Sequence, residues 1–444
     1  MLPMRTRTLG TLAVAAAAAF ASLAGVACGS ILGVDGPYHL ESDAATTGDG
    51  SPGDGTTPDA PGPDADATPG DAGDGGPPEA SFVDADPLSA ISAGRFVTCA
   101  RYAGGVAKCW GQNLDGEFGN GTVVGSSVPI PAMGTGIVAL FNGPGNTCAA
   151  LGGSGACTGR GGAGQLLNGE VDAQSLVPVA TTALPSAPSA FAPGQRRACA
   201  IVANGDVYCA GDGTDGELGP AATGVSATAV KVNLGGAVAR AISGTWRHVC
   251  ALTTAGDVYC WGDDTNGQLG SGSFVDAGIA TPVHVPLGAA ATDIGTGDAH
   301  TCAIVGPDSS NAVWCWGDDT YGQLGNGGGG QSAVPVQVSG LSALANLAVG
   351  AEHTCVGKQN AGGIACWGKG GSGQLGNGSN GDSPTPVDVS NVGGAPAALA
   401  SGGFHTCAIV SSPNVICWGS NDFGQLGNDD PLNQQQNTPV AVQF

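Results

Sequence analysis

Basic side chains are scarce in this 444-residue chain: 13 Lys and Arg stand against 36 Asp and Glu, for a net charge of −23. Between positions 31 and 94 there are 13 acidic residues and no basic one, so one stretch supplies more than half of the net charge. A chain this acidic repels phosphate backbones, which argues against nucleic-acid binding. Aromatic residues make up only 5%, while glycine reaches 80 residues. That balance fits many short strands joined by turns rather than helices. Reactive constellations are missing too. No Ser-His-Asp or Cys-His pairing can be assembled, and glycines 327–330 do not lead from a strand into a helix as a phosphate loop does. No cysteine pair has the close spacing of a zinc knuckle. Asp212 and Asp215 lie in turns with no evident catalytic partner. No catalytic residue, metal ligand or cofactor is therefore assigned.

What is present is a repeat. Residues 248–270 read His-Val-Cys-Ala-Leu-Thr-Thr-Ala-Gly-Asp-Val-Tyr-Cys-Trp-Gly-Asp-Asp-Thr-Asn-Gly-Gln-Leu-Gly, and variants recur from about Leu88 onward. The first cysteines of the copies are Cys99, Cys148, Cys199, Cys250, Cys302, Cys355 and Cys407, a step of 49 to 53 residues. A period of that size means a propeller or a solenoid. Each copy reads as four short strands, one carrying the first Cys, the next the second Cys and Trp, and the last Pro-Val-x-Val. Four strands per period is what a propeller blade requires, so the expectation is an all-β, seven-bladed β-propeller of about 51-residue repeats. The organisation read is 1–27, leader; 28–87, linker; 88–444, propeller.

The pattern His-Thr-Cys-Ala, Cys-Trp-Gly, Gly-Gln-Leu-Gly and Pro-Val-x-Val resembles the regulator of chromosome condensation repeat family, whose members form seven-bladed propellers. It is nearly complete from His300 to Val338, from His353 to Val389 and from His405 to Val442. The copy at Cys250 differs by Val249 in place of Thr. The first three copies drift: Gly116-Glu117-Phe118-Gly119, Gly164-Gln165-Leu166-Leu167 and Gly216-Glu217-Leu218-Gly219 replace the motif, and Thr158 and Ala210 stand where Trp is expected. The resemblance covers about four fifths of the chain. It also implies a ring closed by strands from both termini within one blade. Function is carried less well, because propellers host many unrelated activities.

At the N-terminus, Arg5 and Arg7 precede an apolar run over 9–27 that ends Gly25-Val26-Ala27-Cys28, a secretory signal with a cysteine at the cleavage point. This resembles bacterial lipoproteins, in which that Cys takes lipid on its sulfur. Gly25 departs from the usual Leu there. Cys28 is accordingly assigned as the lipid attachment, with ordinary cleavage or an uncleaved anchor as alternatives. The Asp/Ala/Gly/Pro/Thr-rich linker that follows has too little apolar surface to offset the entropy of ordering, and it is expected to be a disordered tether spanning about 40 Å or more.

The cysteine count fits this address. Fifteen cysteines are Cys28 plus two in each of seven copies, and an even number inside a secreted domain points to disulfides. Cys250 and Cys260 are symmetric about Ala255, so a three-residue turn with Gly256 in the left-handed position sets them opposite each other on a hairpin. The same arithmetic serves Cys199 and Cys209, and Cys99 and Cys109. The remaining hairpin bonds are Cys148–Cys157, Cys302–Cys315, Cys355–Cys366 and Cys407–Cys417. Around Cys302–Cys315 the loop 306–311 absorbs the excess residues.

Several side chains carry two readings. His248, His300, His353 and His405 recur two residues before a first Cys, either as a metal ring around the axis or as side chains packed between blades. Asp263-Asp264-Thr265-Asn266-Gly267 and Asp318-Asp319-Thr320-Tyr321-Gly322 resemble fragments of calcium loops but lack the closing Glu, and turn chemistry accounts for them better. Trp110, Trp261, Trp316, Trp367 and Trp418 are expected inside or between blades. Trp246 and Trp314 lie off that register, where either can serve as an exposed binding anchor. The leading functional expectation is a lipid-anchored extracytoplasmic module, in the bacterial outer membrane or on the cell surface, that binds a protein or glycan and catalyses nothing. The alternatives are an inhibitor of secreted enzymes or a propeller-based enzyme. Nucleotide exchange, the activity of the family's namesake, conflicts with a secretory signal.

Overall fold

The structure is a computed structural model describing residues 87–307, 310–359, 362–411 and 414–444. The leader, Cys28 and the tether up to residue 86 lie outside the described residues. From Leu88 onward the chain forms seven four-stranded antiparallel sheets, spanning 88–132, 137–180, 188–232, 239–285, 291–337, 344–388 and 398–441. The first strands of neighbouring blades touch all the way round, 88–93 meeting 398–401, so the array closes into a ring. The motif-poor second and third copies form complete blades like the others.

Blade 4 shows why these residues build this unit. Its strands are Ala239–Gly244, His248–Thr253, Val258–Asp264 and Val275–Val285. Both faces of the hairpin are covered by neighbouring blades, so that Val249, Cys250, Ala251, Cys260 and Trp261 are all wholly buried. The turn between the second and third strands closes by Thr253 N donating to Asp257 O at 2.9 Å and Gly256 N to Thr253 O at 3.0 Å, with Gly256 at φ 89°. That registers Cys250 directly against Cys260. The glycine of Cys-Trp-Gly is needed for a different reason: a Cβ on Gly262 would lie 2.4 Å from the Arg247 carbonyl oxygen, and the ladder to the fourth strand shifts register on either side of it.

Seven disulfides join the two central strands of each blade: Cys99–Cys109, Cys148–Cys157, Cys199–Cys209, Cys250–Cys260, Cys302–Cys315, Cys355–Cys366 and Cys407–Cys417. Every one of these sulfurs belongs to a wholly buried residue. In the fifth blade Val305 still pairs with Ala312, so the extra length sits in the 306–311 connection.

One expectation fails. Ring closure by strands from both termini in one blade is not what the described residues do: 88–132 and 398–441 each make a sheet of four consecutive strands. Closure is instead made by contacts between blades 7 and 1, where Gly403 N donates to Arg95 O at 3.1 Å and Asp429 N to Ser127 O at 3.2 Å. Thr98 Oγ1 lies 2.7 Å from His405 Nε2, the Trp110 indole N–H donates to Gln425 O at 2.9 Å, and Phe444 packs edge-on against Trp110.

Candidate interaction face

Within each blade the connection from first to second strand and the long loop from third to fourth strand emerge at the same end of the ring. The other end carries the hairpin turns and the blade-to-blade connections. What holds the long-loop end in shape is the Gly-Gln-Leu-Gly segment. The Gln268 side-chain oxygen accepts from Asn266 N at 2.8 Å, capping its own turn. Its backbone oxygen accepts from the Trp316 indole of the next blade at 2.9 Å, and Leu269 is wholly buried. The pattern recurs as Trp261 to Glu217 O, Trp367 to Gln323 O and Trp418 to Gln374 O. In the third blade Ala210 offers no indole, and Thr158 in the second reaches Gly116 O through its hydroxyl at 2.9 Å.

The four histidines lie in four different blade interfaces, each wholly buried. His248, His300, His353 and His405 set Nε2 at 2.8, 3.0, 2.8 and 2.7 Å from the hydroxyls of Thr301, Thr354, Thr406 and Thr98 of the following blade. Thr301 gives its proton to Gln268 O and Thr98 gives its proton to Gln425 O. His248 and His405 must therefore be the donors, with a proton on Nε2. Burial depresses the histidines, His300 to about 4 and the other three to about 3. The arrangement is a set of latches between neighbours, not a shared metal ring.

The calcium-like segments are likewise spent on their own turns. Asp263 accepts from Thr265 N, Asp264 from Leu269 N and the Ser271 hydroxyl, Asp318 from Thr320 N, and Asp319 from Leu324 N. Asp212 pairs with Arg196 at 2.8 Å and Asp215 with Arg247 at 3.9 Å. Trp314 is half-buried and packs against the core between blades 4 and 5.

Trp246 is different. It stands in a short first-to-second-strand loop at the long-loop end, half-buried, with the Arg95 guanidinium 4.8 Å from its ring centre. Arg95 comes from the first blade, Trp246 from the fourth, and the same guanidinium reaches Asp298 of the fifth at 3.7 Å and the Phe404 ring of the seventh at 5.4 Å. Phe96 stacks obliquely on Phe404 at 6.0 Å and on Phe423 at 4.9 Å. Beside them Lys369 pairs with Glu352 at 2.6 Å and sits 4.3 Å over the Tyr321 ring. Loss of solvent pushes the Asp298 carboxyl up to about 6; Arg95 opposes that rise and Glu352 adds to it. Five blades thus contribute to one cluster of rings and paired charges at the axis. Two surface clefts lie elsewhere, one along 337–342 and one lined by Val106 and Met133.

Apart from Trp246, none of these cluster residues is singled out by the repeat pattern. The available signal is positional: Arg95-Phe96, Trp246-Arg247, Asp298, Glu352 and Phe404 all fall in the two or three residues before the histidine position of their copies.

Comparison with known proteins supports the architecture. Profiles described as the Regulator of chromosome condensation (RCC1) repeat match residues 239–268 and 397–425, and 255–304, 310–356, 362–409 and 414–444. The chain is 32% identical over 241 residues to the human E3 ubiquitin-protein ligase HERC2, covering 53% of this chain and 5% of that one. It is 31% identical over 239 residues to the Arabidopsis thaliana ultraviolet-B receptor UVR8, covering 51% and 52%. The chain therefore spans about half or less of these relatives. Among solved structures, yeast RCC1 bound to Kap60 superposes with a TM-score of 0.66 at 18% identity, over 82% of this chain and 86% of that one, a likeness of fold alone.

Proposed function

The chain belongs to the regulator of chromosome condensation (RCC1) repeat family through its repeats between 239 and 444, and we propose that it is a non-catalytic interaction module. In this reading it binds a protein or glycan partner across the long-loop end of the ring, carried outside the cytoplasm on a lipid at Cys28. The observation that carries the reading is the axial cluster. Arg95, Phe96, Trp246, Asp298, Tyr321 and Phe404 converge from four blades, and several rings stay half-exposed with charged groups seated on them. Aromatic and arginine side chains of that kind dominate the energetics of protein interfaces. The rigid ring lets them bind with little ordering cost.

The address is supported by the seven buried disulfides, because such bonds persist in oxidising compartments. An inhibitor of a secreted enzyme is one form of the same reading, with the enzyme as the partner. Ligase activity does not transfer from HERC2, since the alignment spans 5% of that protein.

Site-specific photocrosslinking in the native envelope tests the proposal. A crosslinker at Phe96 or Phe423 is expected to trap a discrete partner, and one at Lys108 or Lys231 near the hairpin end is not. Equal trapping at both ends, or trapping only at the hairpin end, sinks it.

A further inference from the structure

We propose that the partner seated on the long-loop end is a cationic protein segment, whose Lys and Arg side chains dock on the blade 7 sector around Phe423, Asp422 and Asp429. The inference rests on the interaction-module reading and adds the chemistry of the partner.

Charge is distributed very unevenly between the two ends. The seven long loops (112–125, 161–173, 213–224, 265–274, 318–331, 369–382 and 420–435) hold 12 Asp and Glu and one Lys, and the seven short loops add two acids and three Arg. That is 14 acids against four cations, a net charge of −10. Among the described residues, the connections at the hairpin end hold two acids, Asp206 and Asp257, and no cation, a net charge of −2. Lys231 neutralises Asp206 at 2.6 Å, and His284 stands 3.4 Å from Asp257. A cationic partner is therefore steered to one end of the ring.

The four cations of the long-loop end are already counted in that net charge, and each has its own carboxylate. Arg95 is paired with Asp298, Arg196 with Asp212, Arg247 with Asp215 and Lys369 with Glu352. Two of them also show what the face does with a cation. Arg95 rests on Trp246 beside Asp298, and Lys369 rests on Tyr321 beside Glu352: in each case an aromatic ring takes the face of the charge and a carboxylate takes its edge. The same combination stands open in blade 7. Phe423 is 39% exposed, Asp422 and Asp429 flank it in the same loop, both are exposed, and neither makes an ion pair with a described residue. Asp422 accepts only the Ser420 hydroxyl, and Asp429 lies 3.5 Å from that of Ser127. One loop of blade 7 thus offers an incoming guanidinium or ammonium an exposed ring and two carboxylates that have no ion-pair partner among the described residues.

Fluorescence anisotropy with the full chain and a labelled deca-arginine peptide tests this, with deca-glutamate as the comparison. Binding of deca-arginine is expected at 50 mM salt, weakening steeply at 300 mM, with none for deca-glutamate. D422N/D429N is expected to weaken it at least fivefold, and so is Phe423→Ala at unchanged melting temperature. D54N/D59N, which removes the same charge from the linker, is expected to change it less than twofold. Equal losses in the two double variants, or indifference to Phe423→Ala, would show non-specific attraction to an acidic chain and overturn the proposal, as would absent binding. A long-loop crosslink that survives 300 mM salt, together with failure of deca-arginine, removes the cationic partner and leaves the interaction module standing. Loss of face-specific crosslinking removes the module itself.

Discussion

Single residues carry most of the adaptation between one blade and the next. At four of the five tryptophan interfaces the closing glycine of the preceding blade's motif faces the ring: a Cβ on Gly270, Gly325, Gly376 or Gly427 would come within 2.6 to 2.9 Å of the indole. Between blades 2 and 3 both partners are exchanged. Ala210 replaces the tryptophan, and Leu167, wholly buried and held at φ 58°, packs in the same core. The two departures from the motif are thus one compensated pair. Ala210→Trp alone is expected to overpack and destabilise by about 1–3 kcal/mol, and Leu167→Gly alone to leave a cavity worth about 2–5 kcal/mol. The double variant should recover much of the sum, with a coupling of about 1–3 kcal/mol read from denaturant midpoints; strictly additive losses would refute the pairing. The latch histidines give a second prediction at this scale. Their folded values lie below the ordinary 6.5, near 3 for His353. Stability is therefore fully present above pH 6.5 and is lost as pH falls toward 3, at about 1.4 kcal/mol per pH unit for each histidine. The buried carboxyls Glu117 and Asp298, pushed up to about 7 and about 6, act in the opposite sense. His353→Gln leaves those unchanged, so its stability curve between pH 6 and 4 should be shallower than the parent's by about 1.4 kcal/mol per unit. Parallel curves would mean that His353 is not neutral in the fold.

At the level of strands and blades, the interfaces are unequal. Four of them hold a His–Thr latch together with an indole bond, and the one between blades 7 and 1 adds Phe444. The interface between blades 2 and 3 has neither latch nor indole bond. Asn146 takes the histidine position there, and neither atom of its buried amide finds a partner. What remains is apolar packing, including Phe141 on Phe191, and a 3.3 Å bond from Gln165 to Gln195 O. An unsatisfied buried amide costs about 1–3 kcal/mol, so this seam should open first. Hydrogen exchange is expected to be faster in Ile137–Asn142 and Pro188–Pro193 than in Leu88–Ala93 and Ala398–Ser401; equal protection would remove the seam. The blades themselves were legible in sequence, because turn glycines, alternation and cysteine symmetry are local and repeat in phase. Ring closure was not. The family's usual closure and the four-consecutive-strand closure leave the same repeats in the same order, and only the pairing of the terminal strands distinguishes them.

For the whole molecule, the same limit explains why the axial cluster could not be read in advance. Residues 95, 246, 298 and 404 meet only once the ring has closed, and none belongs to the repeat that announces the fold. The paired cysteines, by contrast, were legible because each bond lies within one hairpin. Each short loop contributes at most about 3 kcal/mol by constraining the unfolded chain, and seven of them make reduction a change felt around the entire ring. Protein produced under reducing conditions should melt well below the oxidised form; equal melting would mean that the bonds add nothing to a ring already closed by packing. Every cysteine of the ring is consumed by a partner within its own blade, which leaves Cys28 as the one cysteine available for another chemistry. If the chain is exported and lipidated, unreduced mass analysis of material from its native envelope should find an N-terminus beginning at a diacylglycerol-modified Cys28, with seven intra-repeat bonds. An unmodified N-terminus with the seven bonds intact would leave an exported propeller without its anchor. Free thiols throughout would argue instead for a reducing compartment, where neither the lipid nor an extracytoplasmic partner could be reached.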